Sequence, residues 1–123
     1  HKDQDTLSLA ANKEEIARCG ALIQALAGVE TELFAPPSGA YSENTVNAAE
    51  ALGYKVIMWS KDTIDWRDHD ATIIYSRATE EIEGGDLVLM HPTKETAEAL
   101  PSVLAFYREK GLKQSTVSET IGL

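Results

Sequence analysis

Two residue types suited to proton transfer stand where buried strands are expected to end. His91 follows the apolar run 87–90, and Asp65 lies in the polar loop 60–68 after another apolar run, 55–59. In parallel sheets, side chains at the C-terminal ends of the strands line the active site. A carboxylate beside an imidazole fixes the tautomer of the ring and raises its basicity. The pattern therefore indicates an acid–base pair. Taken singly, His91 could instead cap a strand and Asp65 could cap a helix.

Two further loop features suggest a binding surface beside this pair. The loop 35–39, after a predicted strand over 31–34, reads Ala-Pro-Pro-Ser-Gly, and Trp66 directly follows Asp65. If the strands are parallel, the three loops open at one mouth, where Trp66 would form an apolar wall against a sugar ring or a methyl group. Taken alone, two prolines stiffen a loop and a tryptophan packs in a core, so it is the combination at strand ends that favours a site.

Composition limits the class of protein and of partner. The chain has 123 residues, enough for one domain, and a net charge of −9, which argues against nucleic acid as the main partner. Cys19 is the only cysteine, which excludes an internal disulfide and a cysteine-rich zinc site, and we expect it to be a small buried residue. No apolar run approaches the ~20 residues of a membrane span. The sequence starts at His1 rather than Met, so the lack of a signal peptide says little about the compartment.

Helices and strands are expected to alternate along the chain. Apolar residues at helical spacing, with Asn12 and Ser42 as N-caps, predict helices over 12–28, 42–53, 69–82 and 96–110. Short apolar runs predict strands over 31–34, 55–59, 86–90 and 113–117. Two helices have a predicted buried face, formed by Ile16, Cys19, Ile23 and Leu26 in the first and by Ile74, Ala78 and Ile82 in the third.

This alternation indicates an α/β fold with right-handed βαβ crossovers and a parallel sheet. Pro101 should be tolerable only near the first turn of the last helix. A parallel sheet of about four strands leaves unpaired edges, so the chain is expected to be part of a larger unit.

Three loop segments resemble motifs of the polysaccharide deacetylase family, the NodB-homology carbohydrate esterases of family 4. The segment 35–39 corresponds to the third motif of that family, Asp65-Trp66 to the fourth and Leu89-Met90-His91 to the fifth. The third motif departs from the family pattern, because Ala35 stands where the family has an arginine and Ser38 where it has an aromatic residue. The amino-acid sequences of these loops most resemble those of the sporulation-associated bacilli branch of the family.

The resemblance implies a fold and a reaction. Residues 1–123 would be the C-terminal segment of a single distorted (β/α) barrel, without its first strands and its paired-aspartate motif. Family members hydrolyse N-acetyl, or sometimes O-acetyl, groups on peptidoglycan or chitin-like polysaccharides, using a divalent metal that is commonly zinc. His1 would be a metal ligand, as the second histidine of the family's His-x-x-x-His motif, with the remaining ligands outside this chain. A tag remnant is the alternative interpretation of His1.

The resemblance also assigns roles within the site. His91 would protonate the leaving amine, and Asp65 would tune His91. The backbone near Ser38 would donate a hydrogen bond to the oxyanion. The residues on the substrate side would be Pro37, Ser38, Trp66 and Leu89.

The implied partners are a polysaccharide substrate and the N-terminal segment of the same domain on another chain, in an extracytoplasmic or cell-wall location. Because Ala35 cannot hold a catalytic carboxylate as the family's arginine does, a deacetylase-like sugar-binding protein without turnover is a second interpretation. A small receiver- or flavodoxin-like α/β module is a third, which length, acidity and alternation allow. Such modules need an acidic cluster or a phosphate loop after the first strand, and the loop 35–39 supplies neither.

Overall fold

The computed structural model describes residues 2–123. They form two compact units that divide between Met58 and Trp59. Each unit contains one β–α–β crossover with a parallel pair of two-residue strands, as the alternation of helices and strands predicted. No helix within these residues combines the length and apolarity that a membrane span requires.

The first unit packs a long helix against a short one. Its elements are a 3₁₀ turn Gln4–Thr6, α1 Leu9–Ala27, β1 Leu33–Phe34, a second 3₁₀ turn Pro37–Gly39, α2 Glu43–Ala51 and β2 Lys55–Val56. Ser42 is the N-cap of α2, as predicted, and it forms a capping box with Thr45. The buried core consists of Ile16, Ala48 and Ala49, with Phe34, Tyr54 and Val56 packed around it.

The start and the buried face of α1 differ from the prediction. Ser8, not Asn12, is the N-cap, because the Ser8 side chain accepts a hydrogen bond from the backbone N–H of Ala11. Gly28 ends the helix in the left-handed conformation, as predicted. Ile16 is buried, but three residues of the predicted face are exposed: Cys19, Ile23 and Leu26. The helix has 19 residues whereas α2 has nine, so α2 can cover only part of its length.

The second unit carries the other crossover. Its elements are β3 Lys61–Asp62, α3 Ala71–Thr79, β4 Val88–Leu89, α4 Lys94–Glu109 and α5 Val117–Ile121. Ile74, Ala78 and Ile82, the predicted buried residues, are all buried, although α3 ends at Thr79 and Ile82 lies three residues beyond it. Val103 and Tyr107 of α4 pack with Ala78 and Ile82 in one buried cluster, and the Tyr107 hydroxyl donates to the carbonyl of Ala78 at 2.7 Å.

Three predictions for the second unit are wrong. The loop 60–68 contains β3, which has only two residues and carries charged side chains at both, so it has no apolar signal. The expected strand over 113–117 is absent, because Thr116 and Glu119 form a capping box that begins α5. Pro101 is the eighth residue of α4, where its missing N–H leaves the carbonyl of Ala97, an exposed residue, without a helical donor.

Candidate active site

The parallel pairing of β3 and β4 brings the two predicted proton-transfer residues together. Asp62 and Leu89 face each other in the register of the two strands. Asp65 follows β3 by three residues and His91 follows β4 by two, at the same end of the pair. Oδ1 of Asp65 lies 2.7 Å from Nδ1 of His91. The predicted Asp65–His91 contact therefore forms, although the strand before Asp65 is β3 rather than the predicted run 55–59.

The carboxylate of Asp65 is fully buried and accepts three hydrogen bonds. Its Oδ2 accepts from the backbone N–H of His91 and from Oγ1 of Thr96, both at 2.6 Å, while Oδ1 contacts the His91 ring. Burial opposes ionisation, but the hydrogen bonds from Thr96 and His91 outweigh it, so the pKa of Asp65 is lowered from 3.8. The group is an anion at neutral pH.

This anion determines the tautomer of His91. An ionised carboxylate can only accept hydrogen bonds, so Nδ1 of the ring must carry the proton that points at Asp65. The His91 side chain is 43% exposed, whereas that of Asp65 is completely buried. The structure records no hydrogen bond from Nε2 to any of residues 2–123. The ring is thus held from one edge, and the other edge is available to exchange a proton with a ligand.

The turn that carries Asp65 is anchored from both sides. Thr63 is fully buried and its hydroxyl donates to the Leu89 carbonyl at 2.9 Å, while Arg77 of α3 donates to the Thr63 carbonyl at 3.0 Å. Ile64 has a positive φ of 51°, a costly conformation for a β-branched residue. The Asp62 side chain accepts from the Ile64 backbone N–H at 2.9 Å and helps to fix this bend. The bend is what places Asp65 facing inward.

A second carboxylate fastens this turn to α3. Asp68 forms ion pairs with Arg67 at 2.8 Å and with Arg77 at 2.7 Å, and its backbone N–H donates to the Ile64 carbonyl. The hydrogen bonds from Arg67 and then Arg77 hold the pKa of Asp68 well below its usual range. Asp68 therefore supports the shape of the turn rather than the chemistry at His91.

Two of the predicted substrate residues lie beside the pair in sequence. Trp66 is 58% exposed, so the alternative of a core tryptophan is wrong for this unit. Leu89 is half-buried in β4, two residues before His91. Their contact with substrate stays a prediction.

The remaining predicted site residues belong to the first unit, except His1, which lies outside the residues that the structure describes. Pro37 is half-buried, Ser38 is exposed with a positive φ of 57°, and Ala35 is exposed. Their roles in substrate binding stay predictions. His1, the predicted metal ligand, lies outside the described residues. Within residues 2–123, no three His, Cys, Asp or Glu side chains converge in a way that could hold a metal ion, so this part of the chain does not by itself fit the predicted metal.

The sequence reasoning missed the polar residues that support the pair. Thr96 contacts Asp65 directly, and Thr93 is the true N-cap of α4, accepting from the Thr96 backbone N–H at 3.1 Å. The signal was available, since two threonines three residues apart follow His91 and are typical of a capped helix start. Arg77 and Thr63 carry no comparable signal, because their contacts depend on the packing of α3 and β4.

Comparison with known proteins identifies relatives of this chain. The family model for polysaccharide deacetylases matches residues 1–57. The chain is 32% identical over 119 residues to the uncharacterised protein YlxY of Bacillus subtilis. The alignment covers 97% of this chain and 37% of YlxY. It is 30% identical over 98 residues to a peptidoglycan-N-acetylglucosamine deacetylase of Bacillus cereus, covering 75% of the chain and 46% of the relative.

Solved structures of related proteins have the same fold as this chain. The crystal structure of BA3943, a family 4 carbohydrate esterase pseudoenzyme from Bacillus anthracis, superimposes with a TM-score of 0.93 at 32% identity, over 98% of this chain and 43% of that one. A BA3943 mutant with restored enzymatic activity superimposes equally well. This match confirms the predicted fold class, that of the NodB-type deacetylase barrel, over the receiver- or flavodoxin-like alternative.

The chain spans less than half the length of these relatives. The matches to sequence and structure nevertheless extend over nearly all of it, and include the segments that carry Asp65 and His91. In family model, sequence and structure, the chain is similar to the polysaccharide deacetylases of carbohydrate esterase family 4.

Proposed function

We propose that this chain contributes the acid half of a carbohydrate deacetylase site, which removes N-acetyl groups from a polysaccharide such as peptidoglycan. The observation that carries the proposal is the buried, ionised Asp65 holding Nδ1 of His91 while the ring edge with Nε2 remains exposed. The relative named a peptidoglycan-N-acetylglucosamine deacetylase supports this class of substrate. It also supports the predicted extracytoplasmic or cell-wall location.

The geometry suits one step of amide hydrolysis. When water has added to the acetyl carbonyl, the C–N bond breaks only if the departing nitrogen receives a proton. Nε2 of His91 would donate that proton, and the bonding electrons would leave with the amine while acetate is released. The Asp65 carboxylate beside Nδ1 stabilises the positive charge that the ring carries before the transfer. The same step would release an alcohol from an O-acetyl group.

Activation of water requires groups outside residues 2–123, because no three potential ligands converge within them. The family resemblance predicts a divalent metal, commonly zinc, with His1 as one ligand. Such an ion, when bound, would supply polarisation of the acetyl carbonyl and activation of water. The predicted partner that supplies the remaining ligands and the paired aspartates is the N-terminal segment of the same domain, with this chain as its C-terminal segment.

An experiment on the full-length protein tests the proposal. Acetate release from N-acetylated chito-oligosaccharide and from peptidoglycan is measured for the wild type, His91→Gln and a control, His69→Gln. His69 is an exposed histidine of the same unit, with Glu95 at 3.5 Å as its one ionic contact among residues 2–123. We expect His91→Gln to lose activity and His69→Gln to retain it. Equal activity of the two variants would overturn the role of His91.

A second function, sugar binding without turnover, is favoured by two specific observations. Ala35 stands where the family has an arginine, and BA3943, which has the same fold, is described as a pseudoenzyme. If this second function is correct, the wild type binds N-acetylated oligosaccharide in calorimetry but releases no acetate. Turnover that depends on His91 would exclude it.

A further inference from the structure

The carboxylate at the centre of the candidate site receives a hydrogen bond that the Asp65–His91 pair does not explain. Oγ1 of Thr96 lies 2.6 Å from Oδ2 of Asp65, and both residues are buried. Oδ2 also accepts from the backbone N–H of His91, so this one oxygen joins the first turn of α4 to the end of β4. The other oxygen, Oδ1, is left for the imidazole.

The direction of each bond follows from counting protons. The ionised Asp65 can only accept, so the single hydroxyl proton of Thr96 points at Oδ2. Oγ1 of Thr93 lies 2.8 Å from Oγ1 of Thr96, and in this contact Thr93 must therefore be the donor. Thr93 in turn accepts from the Thr96 backbone N–H. A chain of two hydroxyls thus ends on the carboxylate, and such chains strengthen each member.

We infer that Thr96 is a positioning residue, which orients the Asp65 carboxylate so that Oδ1 holds the Nδ1–H tautomer of His91. This inference rests on the proposed function for its link to catalysis. Without the hydroxyl, Oδ2 accepts only one hydrogen bond, so the negative charge of the buried carboxylate is less well stabilised. This favours rotation or protonation of the Asp65 carboxylate. Either change removes the acceptor that faces Nδ1, and the ring can then place its neutral-state proton on Nε2.

The tautomer of His91 can be read directly. In the full-length protein labelled with ¹⁵N-histidine, the two ring nitrogens have different chemical shifts for the Nδ1–H and Nε2–H forms, and the His91 signals are those lost in His91→Gln. We expect the wild type to show one Nδ1–H form when the ring is neutral. Thr96→Val, which keeps the shape but lacks the hydroxyl, should show a mixture or the Nε2–H form, and Thr96→Ser should restore the wild-type spectrum.

A matched control separates this effect from the loss of any buried hydroxyl. Thr79 lies in the same unit, is buried, and donates to the backbone carbonyl of Tyr75 at 2.8 Å. Thr79→Val should leave the His91 signals unchanged. If Thr96→Val does not fold, Thr96→Ala carries the same expectation with less crowding.

Kinetics adds a second readout on the same variants. Where the wild type releases acetate, Thr96→Val should lower kcat by about tenfold to a hundredfold with little change in KM, since a hydrogen bond to a charged group is lost outside the substrate contacts. An unchanged Nδ1–H signal in Thr96→Val would overturn the inference. A changed tautomer in a protein that releases no acetate would support the positioning role and overturn the proposed function instead.

Discussion

Replacing Asp65 with Asn changes the proton arrangement of the site more than its shape. Two donors, the His91 backbone N–H and the Thr96 hydroxyl, converge on Oδ2. The amide oxygen of Asn must take that place to satisfy them, which turns its NH₂ group toward Nδ1 of His91. Nδ1 must then accept, so the ring proton moves to Nε2. We expect Asp65→Asn to invert the tautomer of His91.

The cost in stability can be estimated from the three contacts. Hydrogen bonds to an ionised group contribute about 1.5–3 kcal/mol each and neutral ones about 0.5–1.5 kcal/mol, so the substitution weakens the three contacts by about 3–4.5 kcal/mol in total. Part of this returns, because a neutral amide avoids the cost of burying a charge. The lowered pKa of Asp65 shows that the hydrogen bonds outweigh burial. We therefore expect a net loss of about 1–3 kcal/mol at pH 7.

The loss should also depend on pH in a defined direction. The folded-state pKa of Asp65 lies below 3.8, so its stabilisation is present above that value and is lost as the pH falls through the folded-state pKa. Urea unfolding of the full-length protein at pH 7 and at about pH 3 should show a smaller difference between wild type and Asp65→Asn at the lower pH.

Asp70 supplies the control for this experiment. It is an exposed N-cap of α3 that accepts from two backbone N–H groups, and Asn caps as well as Asp does. Asp70→Asn should change the free energy of unfolding by less than about 0.5 kcal/mol. If Asp65→Asn is as stable as the wild type at pH 7, or loses the same amount at both pH values, the assignment of an ionised, hydrogen-bonded Asp65 is refuted.

Three further tests concern the core of the second unit and the departure from the family motif at Ala35. Ile74→Ala should lower the free energy of unfolding by about 2–5 kcal/mol and its neighbour Ile73→Ala, which is 41% exposed, by less than about 1 kcal/mol in the same urea assay; equal losses would contradict the packing of α3. Tyr107→Phe should cost about 1 kcal/mol in urea unfolding, because the Ala78 carbonyl loses its donor, and no loss would show that water replaces it. Ala35→Arg should raise acetate release whereas Ala35→Lys should not, because a guanidinium fork orients a carboxylate in a way an ammonium cannot; identical rates for the two would remove Ala35 as the cause of weak turnover.

The Asp65–His91 contact could be predicted from the sequence because it depends on a simple geometric rule. Residues that follow parallel strands meet at one end of the pair, whatever the exact bounds of the strands. The prediction placed Asp65 in the loop after a strand over 55–59, the region that contains β2. In the structure, another strand, β3, lies between β2 and Asp65. The contact tolerates this error, since β3 is also parallel to β4.

The features that were not predicted depend on very short sequence patterns or on tertiary packing. Lys61 and Asp62 form β3 with two charged residues, so no apolar run marks the strand. Leu26 was expected to be buried but is 80% exposed, because helical spacing predicts which residues share a face and not how much of that face another element covers. The region 113–117 was expected to be a strand, although Thr116 with Glu119 three residues later is a capping pattern that predicts a helix.

The effect of Ala35 on turnover and the orientation of His91 by Thr96 can be tested separately, because the residues concerned lie in different compact units. Asp65, His91 and Thr96 all belong to the second unit and are joined by hydrogen bonds within it, whereas Ala35 belongs to the first. A substitution at Ala35 should therefore change acetate release without changing the ring-nitrogen shifts of His91. Thr96→Val should change those shifts whether or not residue 35 is an arginine. If Ala35→Arg alters the tautomer of His91, the Asp65–His91 pair is not a self-contained part of the second unit, and the assignment of its orientation to Thr96 fails.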